Sequence, residues 1–217
     1  MTDFEIADHV RYLSRWAPTW KYPRIETRAD LVKLIAGINT GEACLKQLGG
    51  DDSAEFTELC LGFNPDRIVA AGRMRLGEDL IHALGENLKT PIKKYLQSLV
   101  LTARFVQSFP TVERFRKEYL DRFTSLQSLI EILEGFRRES KIFGMHMSKA
   151  CDIMLLSRTL PTPRFPPEVK TFLRTELNLG EANAPIYLHL LKIQEESLLD
   201  PLHFSECIYK LATQNNK

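Results

Sequence analysis

Apolar residues recur along this chain at spacings of three and four positions, the pattern of helices that bury one face. In the segment 31–38, for example, Leu31, Leu34, Ile35 and Ile38 fall on one side of a helix. No alternating strand of useful length interrupts this pattern. The sequence therefore predicts an all-α fold, a two-lobed helical bundle.

Capping residues and prolines indicate where the helices begin. Asn64-Pro65 and Asp200-Pro201 each offer a side-chain acceptor followed by proline at the first helical position. Thr90-Pro91 predicts the same start for a strongly apolar helix, which we expect at the centre of a bundle. Thr27 or Asp30 is expected to cap an earlier helix.

Residues 161–167 hold four of the 11 prolines and cannot form a regular helix. We expect a rigid, extended crossing there, followed by a helix from Pro167. The chain is predicted to be one helical domain, with lobes at about 24–123 and 124–217, the second packed with the N-terminal helix.

Composition adds few constraints. With 217 residues, 44% hydrophobic and 26% charged, the chain can bury a hydrophobic core that needs no disulfide or metal ion to be stable. No leader or membrane-spanning segment stands out, so we expect a cytoplasmic monomer without a membrane partner. Within a bacterium this location includes the nucleoid, and in a eukaryote the nucleus is the alternative.

The cysteines and histidines do not form a metal-ligand pattern. No C-x-x-C pair occurs, and the five histidines are scattered singly. Nucleotide-binding glycine motifs are also absent. We therefore expect no metal and no cofactor, and predict free thiols at Cys44, Cys60, Cys151 and Cys207.

The charge of this chain is concentrated in residues 137–174. That segment carries eight lysines and arginines against three acidic residues, a net of +5, while the whole chain has +1. Two interpretations remain open: a surface for phosphates, or arginines that pair with acidic helices elsewhere. The basic residues are Arg137, Arg138, Lys141, Lys149, Arg158, Arg164, Lys170 and Arg174.

A predicted hairpin lies inside this basic segment. One helix is expected to end near Arg138 and another to begin at Ser148, with residues 142–147 as the turn. Backbone N–H groups of such a turn, with the positive end of the second helix, suit one DNA phosphate independently of base sequence.

The hairpin resembles that of the helix-hairpin-helix DNA glycosylases, the superfamily of endonuclease III and 8-oxoguanine glycosylase. Their pattern, L-P-G-V-G-x-K-x-A, is followed about twenty residues later by P-V-D. Residues 142–150 match it at Gly144 and Ala150, with Ile142 and Met145 as similar apolar residues. Glu168 stands at the place of the family's aspartate.

The resemblance implies base removal from duplex DNA with Glu168 as the catalytic carboxylate. The implied DNA-binding residues are Lys141, Gly144, His146, Ser148, Lys149 and Lys170. Ser148 replaces the family's lysine, so strand cleavage is not implied. His146 replaces its second glycine, which leaves open a non-catalytic DNA-binding module. A helical protein-interaction domain is the third hypothesis.

Aromatic residues supply candidate walls for a base pocket. A flipped base stacks on such side chains, and Trp16, Trp20 and Phe165 are the candidates here. The alternative is that Trp16 and Trp20 dock the first helix onto the bundle.

Overall fold

The computed structural model describes residues 1–18, 20–49 and 53–214. The sequence Gly49-Gly50 predicts a break between helices, and Gly50 lies outside the described residues. Within these ranges the chain forms twelve α-helices and no strand, which confirms the all-α prediction. None of these helices is both long enough and apolar enough to cross a membrane. The helices are α1 Asp3–Ser14, α2 Arg28–Thr40, α3 Glu42–Gln47, α4 Ala54–Leu59, α5 Pro65–Leu84, α6 Lys89–Gln107, α7 Val112–Leu120, α8 Leu126–Ser140, α9 Met147–Leu156, α10 Pro167–Glu176, α11 Asn183–Ser197 and α12 Pro201–Gln214.

Contacts group the chain into two compact units. Unit 1 comprises residues 1–23, 120–133 and 147 onward, and unit 2 comprises residues 24–119 and 134–146. The predicted lobes of 24–123 and 124–217 remain a prediction.

Unit 2 is built around α6, which packs against α2, α3 and α5. This helix buries one long face, and Tyr95 on that face is 1% exposed and meets the ring of Phe56 at 5.3 Å. The apolar stripe predicted for this segment is therefore confirmed. A cluster of edge-to-face rings joins its far end to α7 and α8 through Phe105, Phe109, Phe115, Tyr119 and Phe136.

Unit 1 buries α1 against α11 and α12. The buried face of α1 consists of Ile6, Ala7 and Val10, each 0% exposed. The spacing of Phe4, Ile6, Val10 and Leu13 in the sequence predicts one shared apolar face, but for Phe4 this prediction is wrong. It lies two positions from Ile6, on nearly the opposite side of the helix, and is 59% exposed.

Most predicted helix starts are confirmed, and one is not. Asn64 accepts hydrogen bonds from the N–H groups of Asp66 and Arg67, and Pro201 opens α12. The Thr90-Pro91 start is wrong, because α6 begins at Lys89 without a side-chain cap. Proline is tolerated there because N–H groups of the first turn have no partner within the helix.

Candidate nucleic-acid interface

The six residues 141–146 join α8 to α9 and contain a tight turn. The N–H of Met145 donates to the carbonyl of Ile142 at 3.3 Å. Gly144, the third residue of the turn, has a φ of +78°, whereas Phe143 does not have positive φ. These are the features of a type II turn, which needs positive φ at its third position and therefore favours glycine.

Alternating burial fixes this turn to unit 2. Ile142 and Met145 are each 1% exposed and anchor the turn in the core. The residues between these two anchors, Phe143 and Gly144, are exposed, and so is His146 after them. Phe143 is 72% exposed. Two buried side chains therefore anchor the turn, while Phe143 and Gly144 face solvent.

A buried polar network holds the same turn through its backbone. The Nδ2 atom of Asn39 donates to the carbonyl of Phe143 at 3.1 Å and to the hydroxyl of Ser98 at 3.0 Å. Ser98 in turn donates to the carbonyl of Ala36 at 3.2 Å. Because buried donors are costly without acceptors, this network favours a single conformation of the turn.

Helix α9, in unit 1, begins directly after the turn. Its buried residues include Ala150, Cys151 and Met154, while Ser148 and Lys149 in the first turn are half-buried. No acidic residue occupies that first turn. The helix therefore carries its positive N-terminal end without a neutralising carboxylate of its own first turn.

The proline crossing of unit 1 is fixed by Arg164. Its guanidinium contacts Asp152 of α9 at 2.9 Å and Glu206 of α12 at 3.3 Å. Its backbone N–H donates to the hydroxyl of Ser205 at 2.9 Å. Burial lowers the pKa of Arg164, but hydrogen bonds and charge from the two carboxylates outweigh this and raise it. Arg164 is thus paired with two carboxylates of the chain, although 40% of its side chain is exposed.

A buried cluster secures the crossing from its other side. Thr162 and Tyr187 are hydrogen-bonded through their hydroxyls, and both are 0% exposed. Cys151 lies beside them, and burial raises the pKa of its thiol to about 12. Phe165, a candidate pocket wall, is 4% exposed and meets the ring of Tyr187 edge-on at 5.2 Å.

Glu168 lies in the first turn of α10, directly after Pro167 opens that helix as predicted. Glu168 and Lys170 are both half-buried. An acidic residue there also stabilises the helix by facing its positive end. The crossing therefore holds Glu168 at a fixed helix start.

The basic segment 137–174 is partly neutralised within the chain. Besides Arg164, Arg174 pairs with Glu181 at 3.2 Å. The cations that face solvent are therefore a subset of the eight. The exposed members are Arg137, Arg138, Lys141 and Arg158.

The tryptophans are at the surface of unit 1. Trp16 is 77% exposed and Trp20 is 44% exposed. If these tryptophans docked α1 onto the bundle, their rings would be buried. Their exposure therefore does not support that alternative.

Sequence reasoning missed the residues that hold the candidate site in place. Asn39 could have been noticed in the sequence, because it is a polar residue next to the apolar stripe of α2 and would need a buried hydrogen-bond partner. Asp152 and Glu206 lie far apart in sequence, and their shared contact with Arg164 could not be read from spacing.

Comparisons with protein-family models, curated proteins and solved structures gave no match. Among the described residues, no group of three or more histidine, cysteine, aspartate and glutamate side chains could hold a metal ion. The resemblance to the helix-hairpin-helix glycosylases therefore remains a prediction based on residues 142–169.

Proposed function

We propose that this protein binds duplex DNA through residues 141–150 and removes a damaged or modified base without cutting the strand. The observation that carries the proposal is the exposed turn at Gly144, whose outer backbone is held still by the buried Ile142, Met145 and Asn39. A preorganised backbone binds a phosphate without an ordering cost.

The charges around the turn support a phosphate as the ligand. Lys141 is exposed beside the turn, and Lys149 lies in the first turn of α9. Phosphate contacts of this kind position a protein on DNA and carry no sequence information. The target base must therefore be selected elsewhere.

Glu168 supplies the chemistry in this proposal. Water attacks the sugar carbon, the bond from that carbon to the base nitrogen breaks, and the departing base takes up a proton. The carboxylate of Glu168 stabilises the positive charge that develops on the sugar, as fixed charges do in many active sites. Ser148 has no amine with which to form a covalent adduct, so the strand stays intact.

Two labelled duplexes test binding, one intact and one carrying an abasic-site analogue. We expect tighter binding to the abasic analogue. Between 50 and 200 mM salt the affinity should fall roughly tenfold if two phosphates are contacted and roughly fortyfold if three are contacted. Lys149→Ala should weaken both complexes. Lys93→Ala is the matched control, because Lys93 is an exposed lysine on α6 and lies outside residues 141–150 of the sequence.

Base release is measured separately, by mass spectrometry of bases freed from alkylated and oxidised duplex DNA. Glu168→Gln should abolish release and leave DNA binding unchanged. Glu176→Gln, at the other end of the same helix, should change neither. Equal release by Glu168→Gln and the unmodified protein would remove Glu168 from the mechanism. DNA binding without any release would favour the non-catalytic module.

A further inference from the structure

Residues 9–23 form an aromatic and basic segment. It begins in the second half of α1 and ends at Pro23, the last residue of the first stretch of unit 1. It interleaves four aromatic residues with three lysines and arginines, and it contains no acidic residue. The aromatic residues are Tyr12, Trp16, Trp20 and Tyr22, and the basic ones are Arg11, Arg15 and Lys21.

Three of the aromatic side chains are held out in solvent. Tyr12 is 59% exposed, Trp16 is 77% exposed and Trp20 is 44% exposed. Tyr12 lies on the side of α1 away from its buried Ile6 and Val10. Trp16 follows four positions later, just beyond the end of the helix. Water contact with rings this large is unfavourable, so the segment suits a partner that covers them.

The charged groups near these rings are mainly positive. Arg15 and Lys21 are exposed. The Arg158 guanidinium lies 4.7 Å from the centre of the Tyr22 ring, which adds a third cation. The acidic groups near the segment include Asp200, at 3.4 Å from the hydroxyl of Tyr22, and Asp8, which pairs with Arg11 at 3.2 Å. Glu5, which interacts with His9, is a third.

We propose that residues 9–23 bind an unpaired nucleic-acid strand. Trp16 and Trp20 stack on successive bases, while Arg15 and Lys21 contact phosphates. Stacking platforms with neighbouring cations bind single strands with little sequence preference, because every base has a flat aromatic face. In the sequence the tryptophans are candidate walls for one flipped base, whereas a single strand would use them to bind several bases. This inference goes beyond the proposed function and does not depend on excision.

Membrane binding fits this segment less well. A helix that lies in a membrane surface presents a continuous apolar face to the lipid. The aliphatic face of α1 is already buried against α11 and α12. Within residues 9–23 the large side chains that remain exposed are aromatic or basic, and these match bases and phosphates.

Intrinsic fluorescence tests the proposal directly, because the chain has two tryptophans and both lie in the segment. Oligothymidylate of about 16 nucleotides, added to the full chain, should quench the fluorescence saturably. A polyphosphate of equal charge, which has no bases, should quench it far less. Added salt should weaken the binding of the oligothymidylate.

Substitutions assign the contacts. Trp16→Ala should weaken oligothymidylate binding about tenfold, with the remaining Trp20 as the reporter. Tyr209→Ala is the matched control, since Tyr209 is an exposed aromatic residue of α12 outside the segment, and it should leave affinity unchanged. Arg15→Gln should reduce the dependence of binding on salt. Circular dichroism checks that each variant is folded.

Absence of quenching by oligothymidylate at low salt would overturn the proposal, as would equal quenching by polyphosphate. A response to anionic lipid vesicles alone would assign the surface to membranes instead. These results are independent of the duplex experiments, because Lys149 and Glu168 lie outside residues 9–23. Loss of duplex binding therefore leaves this inference standing, and loss of quenching leaves the proposed function standing.

Discussion

Gly144 shows how one residue type permits the candidate site. Its φ of +78° is readily adopted by glycine and is unfavourable for residues with a Cβ atom. We expect Gly144→Ala to reduce the free energy of unfolding by about 1 kcal/mol. It should also weaken duplex binding, because the turn must shift. Urea unfolding measures the first effect, and the labelled duplexes measure the second.

Gly135 is the matched control for this prediction. It lies inside α8 with helical backbone, and an added Cβ would meet only Oε1 of Glu139 at 3.4 Å, an ordinary contact. Gly135→Ala should therefore stabilise the protein by about 0.5 to 1 kcal/mol. Equal stabilisation by both substitutions would contradict the strained turn at Gly144.

At the residue scale, the sequence predicted the turn but not what holds it. Gly144 was identifiable because glycine in a short connection indicates a special backbone conformation. The contact of Asn39 with Phe143 spans 104 positions. Only tertiary packing creates such a contact, so no local pattern reports it.

The start of α2 is a capping box that links stability to pH. Thr27 and Asp30 were alternative caps in the sequence, and the structure uses both. Burial raises the pKa of Asp30, but hydrogen bonds from Thr27 and Glu26 outweigh burial and keep the pKa below its usual 3.8. The carboxylate therefore stabilises the folded state at pH values above that figure.

This contribution should disappear in acid. Because the pKa is lower in the folded chain, the stabilisation is complete above the ordinary value and is lost as pH falls through the folded value. Asp30→Asn should cost about 1 kcal/mol near neutral pH, and the difference from the unmodified protein should shrink below about pH 4. Urea unfolding across pH tests this. A difference that does not change with pH would show that the charge plays no part.

At the element scale, sequence patterns predicted helix starts better than interruptions. Ser53 and Asn64 cap their helices with side-chain oxygens, as the sequence indicates. The twenty-residue α5, however, contains Gly72 with a φ of 72° and a ψ of 171°, which is not helical. The apolar stripe continues past this glycine to Leu76 and Leu80, so periodicity alone did not reveal the break.

Across the molecule, each unit buries two cysteines that can report its opening. Cys44 and Cys60 belong to unit 2, and Cys151 and Cys207 belong to unit 1. Burial raises the pKa of Cys44, Cys151 and Cys207. Because the thiolate is the reactive form, we expect negligible thiol labelling of the native protein at pH 8, and labelling of all four cysteines in urea.

Mass spectrometry after stepwise urea addition would show which cysteines become labelled first. Cys151, with a pKa of about 12 and no exposed surface, should be among the most protected. Rapid labelling of Cys151 in native buffer would contradict the buried cluster that it forms with Thr162 and Tyr187.

The candidate site as a whole was only partly accessible to sequence reasoning. The basic segment was visible, yet Arg164 and Arg174 are paired with acidic side chains, which offset two of its charges. Composition counts charges and does not show which of them are already paired. The fold class was predictable because it depends on periodicity, which is a local property.

The way α1 is buried has a consequence for synthesis on the ribosome. Its partners include α11, and the contact between Asp3 and His189 spans 186 residues. At about 5 to 20 residues per second, α1 emerges roughly 10 to 40 seconds before that helix exists. During this interval Ile6, Ala7 and Val10 have no partner from α11 or α12. The nascent chain thus offers an apolar helix to chaperones, and slower translation would lengthen its exposure to aggregation.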